Sequence, residues 1–387
     1  MSQSKVVKTI KLGLLGLVTV AVLGLGSIQQ GGTATAAPEA DVQIAFAASE
    51  GWISLPNRAD PLYIFGFVEV PFNASYDELV TYRGQIPLPS PLIDVMEGQT
   101  IEIKMTNVGF PTRPDLDDPH TIHWHGFPNP YPIFDGFPES SIAVPVTGEF
   151  TYYYVAPGPG TYMWHCHQEP IEHIQMGMVG PLIVRPAGHP DWAYNDPSTA
   201  FDREYFFQLG EIDSRPHDLL PAVQEFEWTE YKPDYWTLNG RSYPDTLAEN
   251  DASSQPYTSL VRANEGDTVL FRFNSLGYEQ QTLTAPGLIF KAIGEDAKPF
   301  MATGGEDLTY LTSTLYVAPG KSLDVLFTAP DITPNQTDAY GNYYALKLYN
   351  RNLYKNTNDG APGEGGIMTE IRIYPAGTLA PQAGPNQ

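Results

Sequence analysis

Apolar and polar residues alternate at every second position along much of the chain. Thr100-Ile101-Glu102-Ile103-Lys104-Met105 keeps a strict period of two, and residues 268–273 follow it less cleanly. Successive side chains of a strand point to opposite faces, so such runs predict half-buried strands. Residues 150–155 and 323–327 are further β-rich stretches. Turn residues punctuate them, and no long segment carries a helical period. The pattern predicts an all-β fold, a pair of β-sandwiches.

The alternation comes in two copies. Glu97-Gly98-Gln99-Thr100 opens one strand-like run and Glu265-Gly266-Asp267-Thr268 opens another. Gly160-Thr161-Tyr162 matches Gly341-Asn342-Tyr343, and Pro186-Ala187-Gly188 matches Pro375-Ala376-Gly377. The same blocks recur in the same order, which predicts one fold repeated. The expected limits are residues 38–188 for the first domain and 189–200 for a linker. The second domain takes 201–377, and 378–387 read as a disordered tail.

Composition changes this picture in three ways. Lys5, Lys8 and Lys11 precede an uncharged apolar run, and Ala34-Thr35-Ala36 suits cleavage. Residues 1–36 therefore read as a signal peptide, with a secreted or periplasmic product and no membrane attachment after cleavage. The 45 acidic and 21 basic residues give a net charge of −24. Such a surface repels nucleic acid and anionic membranes. Cys166 is the only cysteine, so disulfides cannot support an exported fold. A lone Cys between two His reads as a metal ligand.

Six of the eight histidines fall in two clusters. The first is His120-Thr121-Ile122-His123-Trp124-His125-Gly126. The second is His165-Cys166-His167, followed by His173 and Met178. Strand alternation aims His123 with His125 and His165 with His167, and turns Cys166 the opposite way. One short strand then serves two sites on opposite faces. Cys, two His and a weak axial Met make the donor set of a blue-copper centre. Zinc is the other candidate, disfavoured because thioether is a poor zinc ligand. His189 and His217 have no ligand spacing and read as surface residues. Asp135 reads either as a hydrogen-bond acceptor for a ligand His or as a plain turn residue. Glu169 and Glu172 read either as a guide for a reducing cation toward His173 or as a solvated acidic loop.

These motifs resemble the multicopper oxidases and copper nitrite reductases. Tyr82-Arg83-Gly84-Gln85-Ile86-Pro87 is similar to an early strand of that superfamily. His123-Trp124-His125-Gly126 with Asp135-Gly136-Phe137-Pro138 resembles its first-domain signature, and Gly160-Thr161-Tyr162 leading to His165-Cys166-His167 its copper-ligand signature. Leu238-Asn239-Gly240-Arg241 is similar to the equivalent motif of the second domain. The resemblance implies two tandem cupredoxin-like Greek-key sandwiches. It implies His120, Cys166, His173 and Met178 as type 1 copper ligands, Met178 being favoured over Met176. It implies His123, His125, His165 and His167 as ligands of a second copper centre of type 2/type 3 kind. Electrons from a reducing substrate would enter at the exposed edge of His173 and pass through Cys166 toward dioxygen.

The sequence departs from the family in its second domain. A trinuclear oxygen-reducing cluster takes four histidines from each of two facing domains. Here the matching positions are Gln280-Gln281-Thr282-Leu283-Thr284 and Leu346-Lys347-Leu348. Domain two thus reads as a cupredoxin without metal. The missing ligands are expected from a second copy of the chain or from a partner protein. The rival reading is a non-enzymatic electron carrier or copper-binding protein. Nitrite reductase is third: His123 stands where those enzymes carry an Asp, and the second domain lacks their copper-binding histidine.

Overall fold

The computed structural model describes residues 40–128, 131–251 and 253–387. The segment read as a signal, residues 1–36, lies outside them. Among the described residues no helix is long and apolar enough to cross a membrane.

Eight strands build the first half. They are β1 (Val42–Ile53), β2 (Leu62–Val70), β3 (Ile93–Met96), β4 (Thr100–Asn107), β5 (His123–His125), β6 (Glu149–Val155), β7 (Gly160–His165) and β8 (Val179–Arg185). Two four-stranded sheets result, in the orders β2-β1-β4-β6 and β3-β8-β7-β5. The strict alternation in β4 sends Ile101, Ile103 and Met105 into the core between the sheets. Each such buried side chain contributes roughly 1.5–3 kcal/mol. Glu102 and Lys104 stay half-buried on the outer face. Helices are short: α1 (Tyr76–Leu79), α2 (Pro170–Met176) and α3 (Ser214–Leu219).

The second half begins with β9 (Arg203–Ile212) and ends with the strand Met368–Tyr374. Its strands form a seven-stranded and a six-stranded sheet around a second core that includes Phe271, Phe273, Phe290 and Phe327. Two contacts lock the halves together. Ile64, Ile86 and Leu88 cluster with Ile212 and Tyr235. The fully buried Arg272 pairs with Glu204 at 2.5 Å, and Glu204 also binds Arg185 of β8 at 2.7 Å. Thr161 of β7 donates to Asp324 at 2.5 Å, and Ser322 donates to the Thr161 carbonyl at 2.6 Å. Buried charges are costly unless paired, so this network holds β7 in one register against the second sandwich.

Residues 378–387 are not a disordered tail. Tyr235–Leu238 pairs only with positions 209–212 of β9, which leaves the earlier edge of that strand without a neighbour. Side-chain amides of the C-terminal residues cover it. The fully buried Asn386 accepts from the Phe206 N–H at 2.7 Å and donates to its carbonyl at 2.9 Å. Gln382 bonds both the N–H and the carbonyl of Glu204. A polar, Pro-rich composition reads as a tail, but here it satisfies strand backbone.

Candidate metal centres

β5 and β7 run antiparallel, with His123 opposite His165, Trp124 opposite Trp164 and His125 opposite Met163. Trp124 and Trp164 fill the core, so His123, His125 and His165 lie on the other face. The alternation continues past the end of β7. Cys166 belongs to the core, and His167 returns to the outer face with His165.

In the core, Cys166 Sγ lies 3.3 Å from His173 Nδ1 and 4.0 Å from His120 Nδ1. All three residues are fully buried. Reciprocal backbone bonds to Val144, at 3.0 and 2.8 Å, hold His120. α2 presents His173 and stops at Gly177, whose φ is +116°. A Cβ there would stand 2.9 Å from the Phe65 carbonyl oxygen, so the position requires glycine. The turn returns Met178 to the cluster. Its N–H donates to the His173 carbonyl at 2.9 Å, and its carbonyl accepts from the Cys166 N–H at 3.0 Å. The Thr121 N–H points at Sγ from 3.5 Å.

Burial sets the electrostatics of this cluster. It holds His120 well below the ordinary imidazole range and His173 at about 4, so both rings are neutral. It pushes the Cys166 thiol up to about 11. The protein alone does not favour a thiolate, whereas a cation between the sulfur and two neutral imidazoles would.

On the opposite face four imidazoles meet. The His123 ring lies 5.1 Å from that of His165 and 5.0 Å from that of His167, and His125 lies 5.6 Å from His165. Nitrogens of His123, His125 and His165 fall within 4.8 Å of one another. Nδ1 of His123 faces the Asp135 carbonyl at 2.7 Å, and Nδ1 of His165 faces the Cys166 carbonyl at 2.7 Å. A carbonyl only accepts, so these nitrogens carry the proton and Nε2 keeps its lone pair. His125 is reversed: its Nε2 donates to the Gly320 carbonyl at 3.0 Å, leaving Nδ1 free. Nε2 of His165 is buried with no partner. Burial lowers the pKa of His123, His125 and His165.

A thiol, a thioether and imidazoles, with no carboxylate among them, suit copper and exclude hard cations. The orphaned Nε2 of His165 and the neutral rings beside Cys166 fit that group at both places.

Two sequence expectations change, for His217 and for His173. His217 is not a surface residue; it is 1% exposed, with Nδ1 donating to the Tyr63 carbonyl and Nε2 near Gln175. The edge of His173 is not exposed. Arg113 donates to the carbonyl of Leu220, and Leu220 packs into the first core, so the segment after α3 roofs this end of the sandwich. Of the two readings of Asp135 the acceptor is the one observed, through its carbonyl to His123, with its carboxylate at 3.5 Å. The four-histidine patch is half-buried, and Gly320 of the second sandwich caps His125. His189 is exposed and stacks on Trp192.

The structure adds Asp118 to the residues singled out by sequence. Its carboxylate lies 4.0 Å from His173 Nε2. Burial pushes Asp118 up to about 6 and Glu172 up to about 7, and neighbouring carboxylates add to both shifts. In the sequence, Asp118 has no ligand spacing and is marked only by its nearness to His120.

Comparison with known proteins points one way. The sequence model of the multicopper oxidase family matches residues 68–189. Laccase-3 of Oryza sativa subsp. japonica is 29% identical over 258 residues, which cover 65% of this chain and 40% of the laccase. Laccase-5 of Arabidopsis thaliana is 28% identical over 70% of this chain and 42% of its own length. The chain thus spans about two fifths of the curated relatives it matches. Among solved structures, a blue copper oxidase from Nitrosomonas europaea superposes with a TM-score of 0.65 at 25% identity, covering 86% of each chain. A copper nitrite reductase from the same organism superposes with a TM-score of 0.60 at 18% identity, over 88% of this chain and 97% of its own, and shares the fold.

Proposed function

We propose that this chain is an exported copper oxidase of the superfamily of multicopper oxidases and copper nitrite reductases, whose cupredoxin-like fold it shares. His120, Cys166, His173 and Met178 hold a type 1 copper. His123, His125, His165 and His167 hold part of a second centre. Copper at these places supplies one-electron chemistry, drawn from a reducing substrate and delivered to dioxygen.

One observation carries the reading: the alternation from Trp164 to His167. It sets Cys166 beside two neutral imidazoles and sets His165 and His167 among two more on the opposite face. A single backbone segment therefore touches both clusters. The protein's own part is to orient six rings and, by burial, to favour the neutral form of His120, His123, His125, His165 and His173. Carbonyls of Asp135, Cys166 and Gly320 choose the nitrogen each of three rings presents.

Four imidazoles are half of an oxygen-reducing cluster. His217, the one histidine of the second sandwich, is buried against Tyr63, far from a ligand role. In this reading the second half of the centre is supplied by another chain, most simply a second copy. Exposed Tyr131, Ile133, Phe137 and Ile142 follow β5 in sequence, and Phe137 packs on His167 at 4.6 Å. Clustered exposed apolar residues of this kind suit an interface.

The double change His123→Ala with His125→Ala tests the enzyme reading. It should abolish oxidase activity and remove some bound copper while the blue absorption band persists. Oxidase activity that survives would place the catalytic centre elsewhere. A wild type that binds only the blue copper and consumes no dioxygen would make the protein an electron carrier.

A further inference from the structure

Strand pairing fixes how the second sandwich aligns with the Cys166 pocket. In the first half His165 stands opposite both His123 and Val179. In the second half Tyr349 stands opposite both Thr284 and Met368. Tyr349-Asn350-Arg351 therefore matches His165-Cys166-His167, and not Leu346-Lys347-Leu348 as the sequence repeat suggests. The turn bonds agree. The Cys166 N–H donates to the Met178 carbonyl at 3.0 Å, and the Asn350 N–H to the Ile367 carbonyl at 3.1 Å. The Met178 N–H donates to the His173 carbonyl at 2.9 Å, and the Ile367 N–H to the Lys355 carbonyl at 3.0 Å. Gly177 and Gly366, both with positive φ, precede Met178 and Ile367.

Gln281, Asn350, Lys355 and Ile367 thus stand in the places of His120, Cys166, His173 and Met178, and all are buried. Lys355 Nζ donates to the Gln280 carbonyl at 2.7 Å and to Oε1 of Gln281 at 3.3 Å, and pairs with Glu279 at 2.8 Å. These contacts use the three donors of an ammonium. Nδ2 of Asn350 donates to the same Gln281 oxygen at 2.8 Å. The first pocket offers a thiol and neutral imidazoles to a cation. The second offers oxygens to a cation of its own.

The same contacts reach back to the first pocket. Glu279 and Gln281 belong to a segment that begins at Tyr278, and the Tyr278 hydroxyl donates to the Ile171 carbonyl of α2. α2 carries His173. Glu211 holds the segment from one side, accepting from the Glu279 N–H at 2.8 Å, and Lys355 holds it from the other. Without the ammonium, the Gln280 carbonyl loses its side-chain partner and Glu279 its countercharge, which releases the segment.

We infer that Lys355 is a positioning residue. Its ammonium is the built-in cation of a pocket that repeats the Cys166 pocket without copper donors, and through residues 278–281 it braces the helix of His173. The inference rests on the type 1 reading of the Cys166 pocket.

The test uses full-length copper-loaded protein. Lys355→Met should alter the position or intensity of the blue band and speed copper removal by a chelator about tenfold. Tyr278→Phe keeps the ammonium and should change the spectrum in the same direction, which tests the brace even where Lys355→Met fails to fold. Lys347→Met, a lysine paired with Glu364 at the surface, should change neither. Lys355→Ala, read by its urea midpoint, separates charge from volume: propylammonium should restore the midpoint and 1-propanol should not. No rescue, or equal rescue by both, would overturn the cation role. Spectra unmoved in Lys355→Met and Tyr278→Phe alike would overturn the brace. A wild type that never shows the blue band would instead remove the type 1 reading, and the propylammonium result would still decide the role of Lys355 in its own pocket.

Discussion

His165 and Cys166 are joined twice, by their peptide bond and by Nδ1 of His165 on the Cys166 carbonyl at 2.7 Å. The residue that carries the buried thiol therefore also fixes the imidazole on the opposite face. Any movement of Cys166 is transmitted to the four-histidine patch, and the reverse holds. Several measurements follow from this arrangement.

Cys166→Ser should abolish the visible absorption that a copper–thiolate pair produces. The fold should survive, because the sulfur contributes little to either core. The substitution buries a hydroxyl with the Gln168 carbonyl in range, at a cost of about 1–2 kcal/mol. Absorption spectra and urea midpoints check both statements. A copper-loaded wild type without the band would contradict the assignment.

Gly177→Ala acts on the turn that carries Met178 and ends the helix of His173. Its Cβ would press on the Phe65 carbonyl oxygen at 2.9 Å from a left-handed backbone. Such strain costs about 1–3 kcal/mol. The expected outcome is a blue band of altered position or intensity and weaker copper retention under a chelator. An unchanged spectrum would remove Met178 from the proposed ligand set.

Glu211 gives a pH signature remote from the copper groups. It lies in β9, and burial pushes its carboxyl up to about 7. In the unfolded chain the same group titrates near about 4.3. As pH rises, the unfolded chain loses this proton first. The contribution to stability is full below about 4.3 and is lost as pH rises through about 7. Glu211→Gln removes the titration. The variant should gain on wild type by up to about 3 kcal/mol between about pH 4.5 and 7.5. Urea denaturation across that range tests it, and a difference independent of pH would contradict it.

Much of the clustering of these side chains was legible because it depends on period two alone. Cys166 and Trp164 on one face, with His165 and His167 on the other, need only strand geometry. The clustering of His123 with His165 needs one pairing, β5 with β7, and the shared Trp positions already suggest it. What sequence could not show comes from contacts distant along the chain. His217 looks like a lone polar residue until Tyr63 and Gln175 are seen to enclose it. Leu220 reads as a loop residue, yet it packs into the first core and roofs His173. Gly320 stands 195 residues from His125 and acts only through its backbone carbonyl, which no side-chain motif records. The C-terminal amides of Gln382 and Asn386 look solvated until the open edge of β9 is known.

In the proposed oxidase the chain carries two copper centres, the second completed by another chain. Copper counted per chain in the purified protein, alongside dioxygen consumption with a reducing substrate, tests it most directly. The expected result is more than about two coppers per chain, an assembly larger than one chain, and dioxygen uptake. About one copper per chain with no dioxygen uptake would contradict it and leave a blue-copper carrier.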